Sequence, residues 1–268
     1  MRAVELSGKR ALVTGATGGL GQAIARALHR EGATVLLSGR RAELLEELAR
    51  ELGDRAEVLP ADLAGADDVR RLAEQSGQVD VLVANAALPG SGRLTEYTAE
   101  QVDRVIDVNL RSAIQLTHIL LPGMLERRSG HLIYVSSISG KAASAAASLY
   151  NATKFGLRGF SLALHEDLRD TGVGCSAIFP GFIAEAGMWA DSNIKAPAGA
   201  GTRTPDDVAK AVLKAIRKNP YEIDVASVML RSGGWITGIS PALVAAIQRA
   251  GGGAETGAEL AEAQREKR

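Results

Sequence analysis

The chain has 268 residues, which suits one large α/β domain better than two small ones, and its 31 basic residues balance its 31 acidic ones. That balance leaves no long-range field to steer the protein toward nucleic acid or an anionic membrane, and no apolar run is long enough to span a bilayer. Cys175 is the only cysteine, so an intramolecular disulfide is excluded and a reducing compartment is suited. The start of the chain lacks the charged-then-apolar pattern of a secretory leader, so a cytoplasmic protein is expected.

Short apolar runs alternate along the chain with longer amphipathic stretches. The runs are Arg10 to Val13, Thr34 to Leu37, Glu57 to Leu59, Val79 to Val83, His131 to Val135, Gly174 to Phe179 and Tyr221 to Ala226. Several are almost wholly apolar, as strands covered on both faces are. Between them, Leu44, Leu45, Leu48 and Leu52 recur at helical spacing and Gly53 supplies a stop. Val102 to Leu116 carries the spacing of one long helix. Thr204-Pro205 and Ser240-Pro241 each read as a cap with proline in the first turn. The order predicts an α/β fold: a doubly wound parallel sheet of about seven strands with helices on both faces, in a single domain over residues 1–250. Ala196 to Gly201 has no periodicity and reads as a mobile loop. After Gly251-Gly252-Gly253, residues 251–268 read as a charged tail, either a frayed helix or disordered, that serves solubility.

Thr14-Gly15-Ala16-Thr17-Gly18-Gly19-Leu20-Gly21 follows the first strand and opens a helix. Glycines let the backbone turn tightly and approach a pyrophosphate, and the helix N-terminus then offers free N–H groups and the positive end of a dipole. The spacing is TGxxxGxG rather than the general GxGxxG form. Over residues 5 to 226 the sequence resembles the short-chain dehydrogenase/reductase family, whose fold is Rossmann-like and whose TGxxxGxG segment wraps the cofactor pyrophosphate. The resemblance thus implies a nicotinamide cofactor held by Gly15, Thr17, Gly18, Gly19, Leu20 and Gly21.

The second strand ends Leu37-Ser38-Gly39-Arg40-Arg41. An acid at this point accepts from the ribose 2′-OH of NAD and repels a 2′-phosphate; this chain has Gly39 there, followed by Arg40 and Arg41. A guanidinium fork binds phosphate bidentately, so NADP(H) is expected over NAD(H), the competing reading being two solvated charges at a helix start. By the resemblance, Asp62 and Leu63 meet the adenine edge; Asp62 reads equally as a cap for the helix after Gly65. Asn85-Ala86-Ala87 resembles the family's NAG segment at the ribose.

Tyr150 and Lys154 lie four apart, on one face of a helix that begins just after the fifth strand. A free phenol has a pKa of about 10, and a nearby ammonium lowers it, so Tyr150 can exchange a proton with a carbonyl or alcohol oxygen. Ser137, thirteen positions earlier, has the family's serine-to-tyrosine spacing, which favours it over Ser136. Val108-Asn109-Leu110 resembles the family's catalytic asparagine site. The resemblance therefore implies Asn109, Ser137, Tyr150 and Lys154 as the catalytic group. It also places Pro180, Gly181 and Ile183 against the nicotinamide, with Glu185 where the family has threonine, either accepting from the carboxamide or turned to solvent.

Residues 182–203 read as a substrate loop containing Met188, Trp189 and Ile194, with Leu88, Pro89 and Ala142 to Ala147 as further walls. No charged cluster marks the substrate, so a small apolar ketone, aldehyde or alcohol is expected. His29, His118, His131 and His165 form no ligand pattern, so no catalytic metal is expected. The helices around Asn109 and after Tyr150 resemble those that pair in the family, implying a homodimer or homotetramer. Two rivals stand beside this oxidoreductase: a sugar-nucleotide epimerase or dehydratase of the extended branch, and a catalytically quiet NADP(H)-binding sensor or interaction protein.

Overall fold

Side chains alternate across a strand, and in a sheet covered on both faces each set must find a helix to bury it. The computed structural model of the chain, which describes residues 5–190, 192, 194, 200–250 and 253–265, meets this requirement with one seven-stranded sheet. Its strands are β1 (Arg10–Thr14), β2 (Thr34–Gly39), β3 (Ala56–Pro60), β4 (Val81–Ala84), β5 (Gly130–Val135), β6 (Val173–Pro180) and β7 (Glu222–Val225). They run parallel in the order β3-β2-β1-β4-β5-β6-β7. Every expected strand is present, with ends moved by one or two residues.

The helices are α1 (Gly19–Arg30), α2 (Ala42–Leu52), α3 (Ala66–Ser76), α4 (Ala99–Ile106), α5 (Ser112–Glu126), α6 (Ser148–Asp167), α7 (Gly187–Ala190), α8 (Pro205–Lys218), α9 (Val228–Ile239), α10 (Pro241–Ala250) and α11 (Gly253–Ala263). Val13, Val35, Leu37 and Val83 on one sheet face pack with Ile24 and Leu28 of α1, Leu45 of α2 and Val212 of α8. Leu12, Leu36, Leu82 and Leu132 on the other face pack with Leu72 of α3, Leu116 of α5 and Leu157 of α6. Each such fully buried Leu or Val stabilises the fold by roughly 1.5–3 kcal/mol.

Two local results differ from the sequence reading. The helix expected without interruption from Val102 to Leu116 is divided: α4 and α5 are joined by a π-helical turn, Asp107–Arg111, with Asn109 at its centre. One extra residue enters the turn while the chain stays helical, so the apolar spacing on either side persists. The charged tail contains a helix, α11, with Ala261 and Gln264 buried. The loop read at Ala196 to Gly201 lies mostly outside the described residues, as do Asp191, Asn193 and the side chain of Met188. The base of the segment 182–203 is described: Ile183 and Arg203 form a parallel bridge, with Arg203 N donating to Phe182 O (2.9 Å) and Ala184 N to Arg203 O (2.8 Å). Thr204 and Asp207 form the capping box that starts α8 directly after it.

Strand order reverses between β1 and β4, and the carboxyl ends of these strands open the crevice where such sheets bind ligands.

Candidate active site

The turn after β1 is shaped by close approach. A Cβ on Gly15, whose φ is 65°, would lie 2.9 Å from Ala86 Cα, and one on Gly21 would lie 2.2 Å from Gly15 O. Thr14 Oγ1 accepts from both Asn85 N (3.0 Å) and Ala86 N (3.0 Å), while Asn85 Nδ2 donates to Thr14 O (3.0 Å). Asn85 and Ala86 thus fasten the end of β4 to the glycine turn. Gly18 is the N-cap of α1 and gives no side-chain cap, so the first-turn amides at Gly19, Leu20 and Gly21 are left for an anion. The chemistry fits a dinucleotide pyrophosphate: bare backbone, uncapped donors and a helix N-terminus.

At the end of β2, Arg40 and Arg41 are exposed. Arg41 Nη2 reaches Thr17 Oγ1 (3.1 Å), which draws its guanidinium over the turn. Arg40 makes no hydrogen bond or ion pair among the described residues. Gly39 has room for a side chain, since a Cβ there meets Thr17 only at 3.5 Å. Asp62 does not cap α3, whose N-cap is Gly65 without a side-chain bond. Instead Asp62 Oδ1 accepts from Ala64 N (3.2 Å), and Oδ2 pairs with Arg104 (3.1 Å). Leu63 is buried in the core, leaving only its backbone to meet a ligand.

The structure brings Asn109, Ser137, Tyr150 and Lys154 together beside this crevice. Ser137 follows β5 and lies near enough to Tyr150 to act on its phenol, while its hydroxyl accepts from Ser139 N (3.1 Å). Ser136, the competing serine, is buried and donates to Lys154 O (3.1 Å), so it braces the helix instead. Lys154 is 2% exposed; its ammonium donates to Val135 O (3.1 Å) and lies 5.5 Å from the centre of the Tyr150 ring. Burial pushes the Lys154 pKa down to about 8. Burial pushes the Tyr150 phenol up to about 12, against the opposing pull of the nearby Ser137. The lowered phenol pKa expected from the lysine is therefore not what the polypeptide alone produces: removing the phenolate from water outweighs its partners.

Asn109 is buried, and its side chain clamps Leu88 from both sides. Its Oδ1 accepts from Leu88 N (2.6 Å), and its Nδ2 donates to Leu88 O (2.9 Å) and Thr153 Oγ1 (3.4 Å). It thereby ties the loop after β4 to the π turn and to α6. Gly181 N donates to Val225 O (3.0 Å), fixing Pro180-Gly181 at the end of β6, and Ile183 is buried. Glu185 is exposed with φ 71°, turned to solvent. Phe182 and Trp189 meet at 4.3 Å between ring centres, forming an apolar rim.

The sequence model of the short chain dehydrogenase family matches residues 9–196, a span that holds the glycine turn and all four catalytic candidates. The chain is a short-chain dehydrogenase. Among curated relatives, a ketoacyl reductase, HetN, from a Nostoc species is 37% identical over 227 residues, covering 82% of this chain and 79% of that protein. Among solved structures, the closed form of a serine dehydrogenase complexed with NADP+ superposes with a TM-score of 0.74 at 31% identity, covering 82% of this chain and 95% of that one. A metagenomic short-chain oxidoreductase in complex with NADP gives a TM-score of 0.70 at 33% identity, over 83% and 98%. The chain is accordingly an NAD(P)-dependent dehydrogenase or reductase with a Rossmann-like fold.

Two positions in this short-chain dehydrogenase escaped the sequence reading. A Cβ on Gly90 would lie 2.8 Å from Tyr150 N, and one on Gly140 would lie 2.7 Å from Lys154 O. Both glycines let neighbouring loops close on α6. Their only sequence signal was a glycine in a loop flanking a candidate wall. Among the described residues no group of three His, Cys, Asp or Glu could hold a metal ion, and no helix is long and apolar enough to cross a membrane.

Proposed function

We propose that the protein is an NADP(H)-preferring carbonyl reductase, working reversibly on a compact apolar ketone, aldehyde or alcohol in the cytoplasm. The observation that carries this reading is the Tyr150 phenol close to Ser137 and 5.5 Å, at its ring centre, from a buried Lys154 ammonium. Bound dihydronicotinamide supplies a hydride to the carbonyl carbon. Tyr150, protonated across the physiological range, gives its proton to the carbonyl oxygen, which Ser137 holds in place. Lys154, nearly enclosed and charged below about pH 8, offsets the negative charge left on the phenol. Asn109 keeps the π turn and the Leu88 loop in register with Tyr150.

Gly15, Thr17 to Gly21, Arg40, Arg41, Asp62, Leu63, Asn85, Ala86, Pro180, Gly181 and Ile183 are the residues that would hold the cofactor. Support for the 2′-phosphate is the exposed pair Arg40–Arg41 with glycine in place of an acid, and both solved relatives above carry NADP. The apolar pair Phe182 and Trp189 favours an uncharged substrate. Ile119 and Leu125 of α5 and Phe155 of α6 lie exposed on the two helices expected to pair, which supports a homodimer.

The test is NADPH oxidation over a panel of ketones, aldehydes and quinones, repeated with NADH. Turnover with a higher kcat/KM for NADPH is expected. Tight NADPH binding without turnover of any member would favour the sensor reading.

A further inference from the structure

The helices after β7 read in composition as an addition to the fold, yet two of them close on one short loop. Residues 141–147 join Ser137 to Tyr150 and so frame the catalytic pair. From α9, Gly234 reaches the stem of Lys141, where an added Cβ would lie 3.1 Å from Lys141 Cβ. From α11, Gly257 reaches the loop's other end, where an added Cβ would lie 2.8 Å from Ala145 O and 3.6 Å from Ala146 Cβ. In both places a glycine lets a helix backbone lie directly on the loop.

The loop is also held elsewhere. Gly92 N donates to Ala146 O (2.6 Å), and Ala146 itself has φ 51°, a conformation that a non-glycine residue keeps only when its surroundings enforce it. Asn151 Nδ2 donates to Ser144 O (3.1 Å). Lys141 is 6% exposed, its ammonium bonded to Asp224 (2.5 Å) and Glu222 (2.8 Å). Burial of Ala261, and of Gln264 just beyond its end, shows that α11 is packed rather than draped. A loop of small residues fixed on one side and backed by a helix on the other cannot yield outward, because packed interiors resist displacement.

We infer that α11, seated through Gly257 on Ala145, is the outer wall of the substrate pocket and sets its size, admitting compact ketones and refusing bulky ones. This rests on the reductase reading above. Gly257 and Gly234 are positioning residues: they act through the loop.

The experiment compares wild type with Gly257→Val, whose side chain has no room against the Ala145 carbonyl and must lift α11. Hydrogen exchange of amides 141–147 should rise, and NADPH affinity should stay within about twofold. The kcat/KM ratio for a bulky aryl ketone over a small cyclic ketone should rise about tenfold, the size of effect that one or two methylenes have in an apolar pocket. Unchanged exchange, or raised exchange with an unchanged ratio, would overturn the inference. If wild type turns over neither ketone, the reductase reading fails by itself, and the exchange data still decide whether α11 backs the loop. Should the valine variant fail to fold, Gly257→Ala carries the same comparison with a smaller change.

Discussion

Burial moves Tyr150 and Lys154 in opposite directions, each toward its neutral form, and this sets the pH response. With the phenol protonated up to about pH 12, the acid for carbonyl reduction does not become limiting near neutrality. Lys154 loses its charge as pH rises through about 8. A kcat/KM profile for reduction should therefore fall on the alkaline side of about pH 8; a profile flat to pH 10 would contradict the role given to Lys154. At the cofactor end, Gly39 has ordinary contact distances around an added Cβ, so Gly39→Asp fits without strain. It places a carboxylate where the 2′-phosphate is expected. NADPH should bind about 10- to 100-fold more weakly while NADH is held as well or better, the range that one or two charge-assisted hydrogen bonds span. Competitive calorimetry with both cofactors reads this directly. The Tyr–Lys pair was legible because its two members share one helix face. Ser137 was separable from Ser136 only by spacing, and the bond of Ser136 to Lys154 O now sets the two apart.

The segment α4–π–α5 shows what an element conceals in a sequence. Its apolar spacing runs through Asn109 without a break, so periodicity reads one helix. The extra residue of the π turn is visible only in the backbone. Asn109 fills the turn with three hydrogen bonds, and Asn109→Leu would leave Leu88 N–H and C=O buried without partners. At about 1–3 kcal/mol for each of the two orphaned groups, a loss of roughly 2–6 kcal/mol in urea unfolding is expected. A loss under about 0.5 kcal/mol, the size of an ordinary surface change, would show that water replaces the amide. Gly90→Ala should act differently: the new Cβ meets the Tyr150 backbone at 2.8–3.0 Å and displaces the catalytic helix. Turnover should fall at least about tenfold with NADPH affinity unchanged, since small misplacements at the reacting atoms are costly. Gly90 and Tyr150 are sixty residues apart, and no local pattern announces that they touch.

At the scale of the molecule, the seven parallel strands follow from alternation of short apolar runs with amphipathic helices, and the sequence carried that much, while their order is visible only in the structure. The C-terminal helices were less legible because alanine, glycine and glutamate fit a docked helix and a solvated one equally well. His131 illustrates a global consequence of one buried group. It is fully enclosed in β5 against Ser176, and burial, with His165 nearby, holds its pKa down at about 3. A histidine whose folded pKa is depressed stabilises the fold above its unfolded value of about 6.5, where both states are neutral. As pH falls from about 6.5 toward 3, the unfolded chain takes up a proton that the folded one refuses, and stability declines. His131→Gln should flatten that part of the stability–pH curve, measured by urea unfolding at fixed ionic strength. An unchanged slope would place the acid sensitivity elsewhere.

The most direct test of the catalytic assignment is Tyr150→Phe, assayed for NADPH oxidation with the best ketone of the panel and for NADPH affinity in the same preparation. Turnover lower by at least about 100-fold with affinity within about twofold is the expected result, since general acid catalysis contributes 10²–10⁴-fold. Turnover close to wild type would contradict Tyr150 as the proton donor and, with it, the reading of this site.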